Sequence, residues 1–537
     1  MRQAIAWVDD MTADHSAAPM TPDGEARASG YAWYALGLMF VVYVLNFIDR
    51  QILSILAEDI KRDLGLTDVD LGFLFGTAFA VFYGVFGIPI GRLVDEWRRG
   101  WLMAMGLALW SSMTALSGLA TNYAQLAIGR IGVGIGEASA SPAAYSLIAD
   151  YFPKRQRAAA LSIYSAALYV GIGLSLVFGA RIATVWDGAY SVAEAPMGLK
   201  GWQAAFICVG LLGLPLAVIV SRLKEPVRGG MDGTPAPTVV PGAWRRFLGE
   251  LVAVVPPLTL WSVSRIRGGL VVNLMLAGIL AAAAVLLVMV TGDAMQWIAL
   301  ALGLYSIGSW IQMLRDKDLP AYRLICTTPA MLLGLGGFGL LAMFGYTFSF
   351  WAPPFAMREL GVTKEVAGIY LGLPGAAASA AGVILGGMLS DAWRARDARG
   401  RIFVCILSLL LPPPFLWLAL QQQDFASFAM IAPVIYFTSS LWVGSGVAAF
   451  QDLVLPRMRG LVGAITVLAS TIVGLAIGPY LVGKISTVSG SLQTGLYALF
   501  CVAPLSLILL VLMSRKVGAA EASKLERAKA AGEASTS

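Results

Sequence analysis

Long apolar runs separated by short polar connections set the pattern of this chain. About 20 consecutive apolar residues form a helix that crosses the hydrocarbon core of a bilayer. The pattern predicts such helices at 31–56, 70–91, 101–120, 123–148, 158–184 and 201–223. A second six fall at 328–354, 366–389, 402–422, 425–450, 460–485 and 492–514. Between them, EPVRGGMDGTPAPTVVPGAW leads into WRRFLGELVAVVPPLTLW, an interfacial amphipathic piece broken at Pro256 and Pro257, and then into two further spans. The expected organisation is a cytoplasmic tail (1–30), a six-helix half (31–224), a central insert (225–327), a second six-helix half (328–514) and a mobile tail (515–537). This is an all-α polytopic membrane protein with about 14 transmembrane helices in prospect.

Composition agrees: 58% of residues are hydrophobic and 13% charged, with mean hydropathy +0.75, more apolar surface than a soluble domain can bury. The net charge of +6 reflects basic loops at 92–100, 153–157, 393–401 and 456–460, whereas TNYAQ (121–125) has no Lys or Arg. That asymmetry places both termini in the cytoplasm and explains the charge without a nucleic-acid partner. Cys208, Cys326, Cys405 and Cys501 lie far apart without CxxC spacing, so neither disulfides nor a metal site is expected. The lack of N-x-[ST] sequons and organellar signals points to a bacterial inner membrane.

An internal repeat supports two related halves. GFLFGTAFAVFYGVFGIPIGRLVDEWR (72–98) aligns without a gap on 368–394 at an offset of 296, matching Gly91, Leu93, Asp95, Trp97 and Arg98 to Gly387, Leu389, Asp391, Trp393 and Arg394. Duplicated halves with a substrate site between them near the midplane are a transporter architecture. The loop GRLVDEWRRG resembles the major facilitator superfamily signature G-x-L-x-D-x-x-x-R-[RK], with a departure at Arg99–Gly100, and GMLSDAWRAR is its weaker echo. On this reading Gly91 and Gly387 allow close helix approach, while Asp95, Arg98, Asp391 and Arg394 gate one cytoplasmic closure. The alternative is that the basic residues only orient the hairpin.

Four ionisable residues stand inside apolar spans: Asp49 and Arg50 in the first, Arg130 and Glu137 in the fourth. Charges at bilayer depth are costly and mark substrate or proton paths. Arg130 and Glu137 are two turns apart on one helix face; Tyr43, Asn46 and Arg50 form a polar stripe on the first helix. The runs LNFIDRQ (45–51) and GRIGVGIGEASASPAAYSLIADYFP (129–153) are similar to those of Spinster-like transporters within the superfamily. That resemblance implies a lipid-type substrate, such as a lysophospholipid or sphingosine-1-phosphate, and a proton-linked mechanism.

His15 is the only histidine and lies in the tail, so a proton relay has only carboxyls to use: Asp49 and Glu137. Arg50 and Arg130 would then hold an anionic headgroup; the competing reading is a permanent ion-pair network that only packs the first half. At the 296 offset Asp49 and Arg50 correspond to Gly345 and Tyr346, in FGYTFSFWAPP, which predicts an oily second wall with Tyr346, Phe348, Trp351 and Phe338 on the tail side. The expected protein is a monomeric carrier, driven by the proton gradient without a bound cofactor, for an amphiphilic lipid or lipid-like anion. A carrier of a small organic anion or a drug is the alternative. No ATP-binding loop, paired metal ligands or nucleophile–base arrangement supports an enzyme.

Overall fold

The computed structural model describes residues 28–191, 193–232 and 236–533; most of the expected N-terminal tail lies outside them. The first half runs α1 (Gly30–Ile55), the short connection α2 (Ala57–Leu64), α3 (Asp68–Phe75) continuing into α4 (Thr77–Glu96), α5 (Arg99–Ser117), α6 (Tyr123–Glu137) bent into α7 (Ala140–Tyr151), α8 (Lys154–Ala189) and α9 (Gly201–Ser221). The insert holds α10 (Ala243–Val254), α11 (Thr259–Val263), α12 (Gly269–Thr291), α13 (Ala294–Lys317) and α14 (Leu319–Cys326). The second half begins with α15 (Pro329–Glu359), α16 (Lys364–Arg394), α17 (Gly400–Leu410) with α18 (Pro412–Leu420), and α19 (Phe425–Ser440) with α20 (Trp442–Gln451). It ends with α21 (Arg459–Ala469), a π-helical turn (Ser470–Leu475), α22 (Gly478–Ser489), α23 (Leu492–Ala522) and α24 (Lys524–Ala530).

Twelve of these helices or helix pairs are long and apolar enough to cross a membrane. Two others, α5 and the bent α6–α7, take the third and fourth places expected from the sequence. Ser111, Ser112 and Thr114 on one, and Arg130 and Glu137 on the other, dilute their apolar character. Burial explains how these polar groups are tolerated, because Ser111, Thr114, Arg130 and Glu137 are all shielded by neighbouring helices.

The repeat in the sequence is a repeat in space. Spans Asp68–Glu96 and Lys364–Arg394 start 296 residues apart, and Ser54, 296 residues before Phe350, donates a 2.6 Å hydrogen bond to that residue's carbonyl. Equivalent points of two halves meet in this way only beside a two-fold axis.

On the face opposite the termini the halves are pressed together. A Cβ on Gly72 would lie 2.5 Å from the Pro479 carbonyl oxygen, and one on Gly372 2.7 Å from that of Gly173, so glycine is what permits the approach. Arg358 bridges Glu58 and Asp68, Lys364 reaches Asp59, and Gln51 Nε2 donates to the Ser349 carbonyl at 2.9 Å. Toward the termini the helices diverge. Gly84 still packs on Leu468, but Gly87, Gly91 and Gly387 have no neighbour within Cβ reach. The close approach expected at Gly91 and Gly387 is therefore absent in this conformation, whose vestibule opens on the side carrying Ala28 and Glu533.

The insert begins with the helix expected before the Pro256–Pro257 break, α10, which ends at Val254. Its α10 packs on α4 through Arg246–Glu96 (2.6 Å) and Trp244–Trp97, and α11 turns inward so that buried Thr259 meets the Tyr305 hydroxyl at 2.8 Å. The C-terminal tail, expected to be mobile, is folded as far as it is described: α23 runs on to Ala522, Arg394 pairs with Glu521, and Arg457 holds Glu533. Charges placed at helix-turn spacing give these last residues partners on the second half, which is why they fold against it.

Candidate functional site

The first-helix stripe and the fourth helix meet at the centre of the bundle. Arg50 Nη2 lies 2.7 Å from Glu137 Oε2, with Glu137 sealed and Arg50 slightly exposed. Asn46 is buried beside this pair, within reach of Glu137. The guanidinium stands 4.3 Å from the Phe79 ring centroid and 4.7 Å from that of Phe47, with Tyr83 at 5.4 Å. Aromatic faces favour a cation there without neutralising it. Arg50 Nε and Glu137 Oε1 have no hydrogen-bond partner, so the pair keeps bonding capacity in reserve.

Arg130, expected to hold a headgroup with Arg50, is fully buried and bonded to backbone. Its Nη1 donates to the backbone carbonyl of Asp49 at 3.1 Å and its Nε to that of Leu74 at 3.4 Å. The Asp49 carboxyl is fully buried and faces Trp110 and Thr114 of α5. Helical spacing places Asp49 beside the polar stripe, but the adjoining helix α5 occupies that side.

Tyrosines line the rest of the centre. Tyr43 stacks on Tyr164 at 4.4 Å, Tyr145 meets Tyr164 edge-on at 5.5 Å, and Tyr346 from the second half is partly exposed within electrostatic reach of Arg50. Tyr346, expected on the tail side, thus stands near the Arg50 charge. Phe348, Trp351 and Phe338, expected beside it, are all fully buried. Phe348 packs on Tyr436, the Trp351 indole donates to the Pro479 carbonyl at 3.1 Å, and Phe338 packs on Phe450. Phe348 and Trp351 belong to the closed face and Phe338 to the core of the second half. An apolar helix gives no periodic cue to which aromatic faces a cavity. The residues missed, Phe79 and Tyr83, are one helical turn apart in GTAFAVFYGVF and could have been found from that spacing.

At the termini face, Asp95, Arg98 and Asp391 are exposed, while Arg394 pairs with Glu521 and Asp452. Counted from Gly91, the signature's arginine falls on Arg99, whose side chain is fully buried. It pairs with Asp150 and Glu225 and donates to the Ser146 and Pro226 carbonyls. Outside the membrane spans, burial and the nearby Arg99 charge hold the Arg228 guanidinium below its ordinary pKa, and Arg228 caps the end of α4 at the Val94 and Trp97 carbonyls.

The sequence profile of the Major Facilitator Superfamily matches residues 39–351. An MFS-type efflux pump of Mycolicibacterium smegmatis is 27% identical over 455 residues, covering 85% of this chain and 84% of that protein. Protein spinster homolog 1 of Bos taurus is 25% identical, covering 87% and 76%. The crystal structure of a bacterial homolog to the human lysosomal transporter Spinster, inward-facing and unoccupied, superposes with TM-score 0.64 at 22% identity over 94% of this chain and 98% of that one.

Proposed function

The chain belongs to the major facilitator superfamily, whose members are membrane carriers and not enzymes, and from that premise we propose that it is a proton-coupled transporter of an amphiphilic lipid or lipid-like anion. The observation that carries this reading is the buried Arg50–Glu137 pair at the head of the vestibule. An arginine does not release its proton under ordinary conditions, so Glu137 is the member that titrates. A neutral Glu137 leaves Arg50 as an unmatched cation within an aromatic cage, and an anionic headgroup is the partner that restores balance. Asp49 is the second carboxyl in this scheme, reached when α1 moves relative to α5. Basic loops put the termini in the cytoplasm of a bacterial inner membrane, the vestibule opening inward, and the carrier works as a monomer. An amphiphile suits the arrangement because its chain gains about 0.8 kcal/mol for each CH₂ buried among the aromatic rings.

The competing reading is a small organic anion or a drug. It is favoured by the tyrosine-rich centre, which offers hydroxyls where an oily wall was expected, and by the relative named an efflux pump. Proteoliposome uptake of an anion series of increasing chain length, with and without a pH gradient, separates the two. Uptake should rise with chain length and follow the gradient, and Glu137→Gln should abolish the gradient dependence. Gradient-driven uptake by Glu137→Gln equal to the parent refutes the proton role, and preference for the shortest anions refutes the amphiphile.

A further inference from the structure

Alternating access requires the closed face to open, so each contact bridging the halves there adds to the cost of opening. Most such contacts come from the halves themselves. One comes from the insert. Gln296, in the first turn of α13, is buried between the two halves. Its Oε1 lies 2.6 Å from Thr77 Oγ1 of the first half, and its Nε2 donates to the Ala476 carbonyl of the second half at 3.3 Å. Thr77 Oγ1 is itself 2.7 Å from that same carbonyl. Thr77 has one hydroxyl proton to share between these two acceptors, and with the Gln296 amide donating to the carbonyl each of the three groups, from three parts of the chain, has a partner out of water, where a group left without one is costly.

The local backbone is shaped for this contact. Ala476 follows the π-helical turn, and its amide donates to Thr471 five residues back at 2.8 Å. Such widened turns recur at functional sites. The loosened segment passes so close to α4 that a Cβ on Gly76 would lie 2.4 Å from the Leu475 carbonyl oxygen. Helix α13 is tied in place on both sides of the seam. Asp293, just before it, takes Lys484 at 2.8 Å and the Tyr480 hydroxyl at 2.7 Å, while Gly303 packs on Val81 of α4.

We propose that Gln296 and Thr77 are positioning residues for transport: helix α13 of the insert clamps the seam between α4 and the α21–α22 segment, and its release is a step in opening the closed face. The clamp acts on conformational balance and is independent of which substrate the vestibule takes.

The test uses the full chain with its four cysteines replaced and spin labels at positions 62 and 488, both strongly exposed on the closed face. Distance distributions are measured by pulsed electron resonance. The parent should give one short distance. Gln296→Leu and Thr77→Val should each add a longer one and raise the open-to-closed ratio about 2- to 10-fold, the range for one lost internal hydrogen bond. Thr77→Ser, which keeps the hydroxyl, should match the parent. Unchanged distributions in Gln296→Leu and Thr77→Val overturn the proposal, as does a Thr77→Ser shift as large as that of Thr77→Val. Should Gln296→Leu fail to fold, the Thr77→Val and Thr77→Ser pair decides alone.

Discussion

Asp68→Asn is the substitution whose effect on the cycle follows most directly from the closed face. The Asp68 carboxylate accepts from Arg358 twice, at 2.8 and 3.0 Å, from Ser486 at 2.6 Å and from Lys61 at 2.6 Å. Arg358 and Ser486 belong to the other half, so three of these four bonds break when the face opens. Hydrogen bonds to a charged group contribute about 1.5–3 kcal/mol each and neutral ones about 1 kcal/mol. The amide keeps one acceptor oxygen, and the Arg358 side chain is 24% exposed and partly screened. A net loss of about 2 kcal/mol remains, a shift of about 30-fold toward the open closed-face state. The assay is aqueous maleimide labelling of Gly87→Cys, a position with open space around it in this conformation. As the opposite face opens, the termini face closes over residue 87, so its labelling rate should fall, by at most that factor. Asp70→Asn is the control: Asp70 bonds only to Thr67 in a local capping box, and labelling should change less than about twofold. Equal labelling in the parent and Asp68→Asn, or an equal drop in both variants, refutes the reasoning.

Arg99→Met should destabilise the carrier by about 3 kcal/mol, because it strands Asp150 and Glu225, whereas Arg98→Met should leave the thermal midpoint unchanged; equal midpoints for the two variants in a thermal-shift measurement contradict this. Acid should loosen the C-terminal helix α24. Asp318 and Glu533 are both held below the usual carboxylate range by hydrogen bonds from Arg457, so their stabilising contribution is complete above the unfolded values near 4 and fades as pH falls through the lowered ones. Amide exchange at 524–533, corrected for intrinsic rate, should lose protection below about pH 4; unchanged protection at pH 3 argues against it.

The apolar runs were sufficient to place the helices, including α5 and α6–α7, whose polar residues interrupt them. The 296-residue offset pointed to two related halves, and Ser54 meets Phe350 at that same offset. The pairing of Arg50 with Glu137 was legible because both sit on the polar face of an otherwise apolar helix. Asp49 was not, since a stripe fixes an angle around one helix and leaves open which neighbour fills it; here Trp110 and Thr114 do. Phe348 and Trp351 were misplaced for a related reason. In a helix that is apolar all round, no periodicity separates the face toward a vestibule from the face toward a seal. Gln296 escaped notice because its partners lie 219 and 180 residues away.

Gly87, Gly91 and Gly387 bear on how this carrier is engineered. Nothing around them here forbids a methyl group, and alanine in a helix interior is worth about 0.5–1 kcal/mol over glycine. A stabilisation campaign scored on this one arrangement would fill all three positions first. It would gain rigidity by thickening the surfaces that must come together when the vestibule shuts, and so trade turnover for melting temperature.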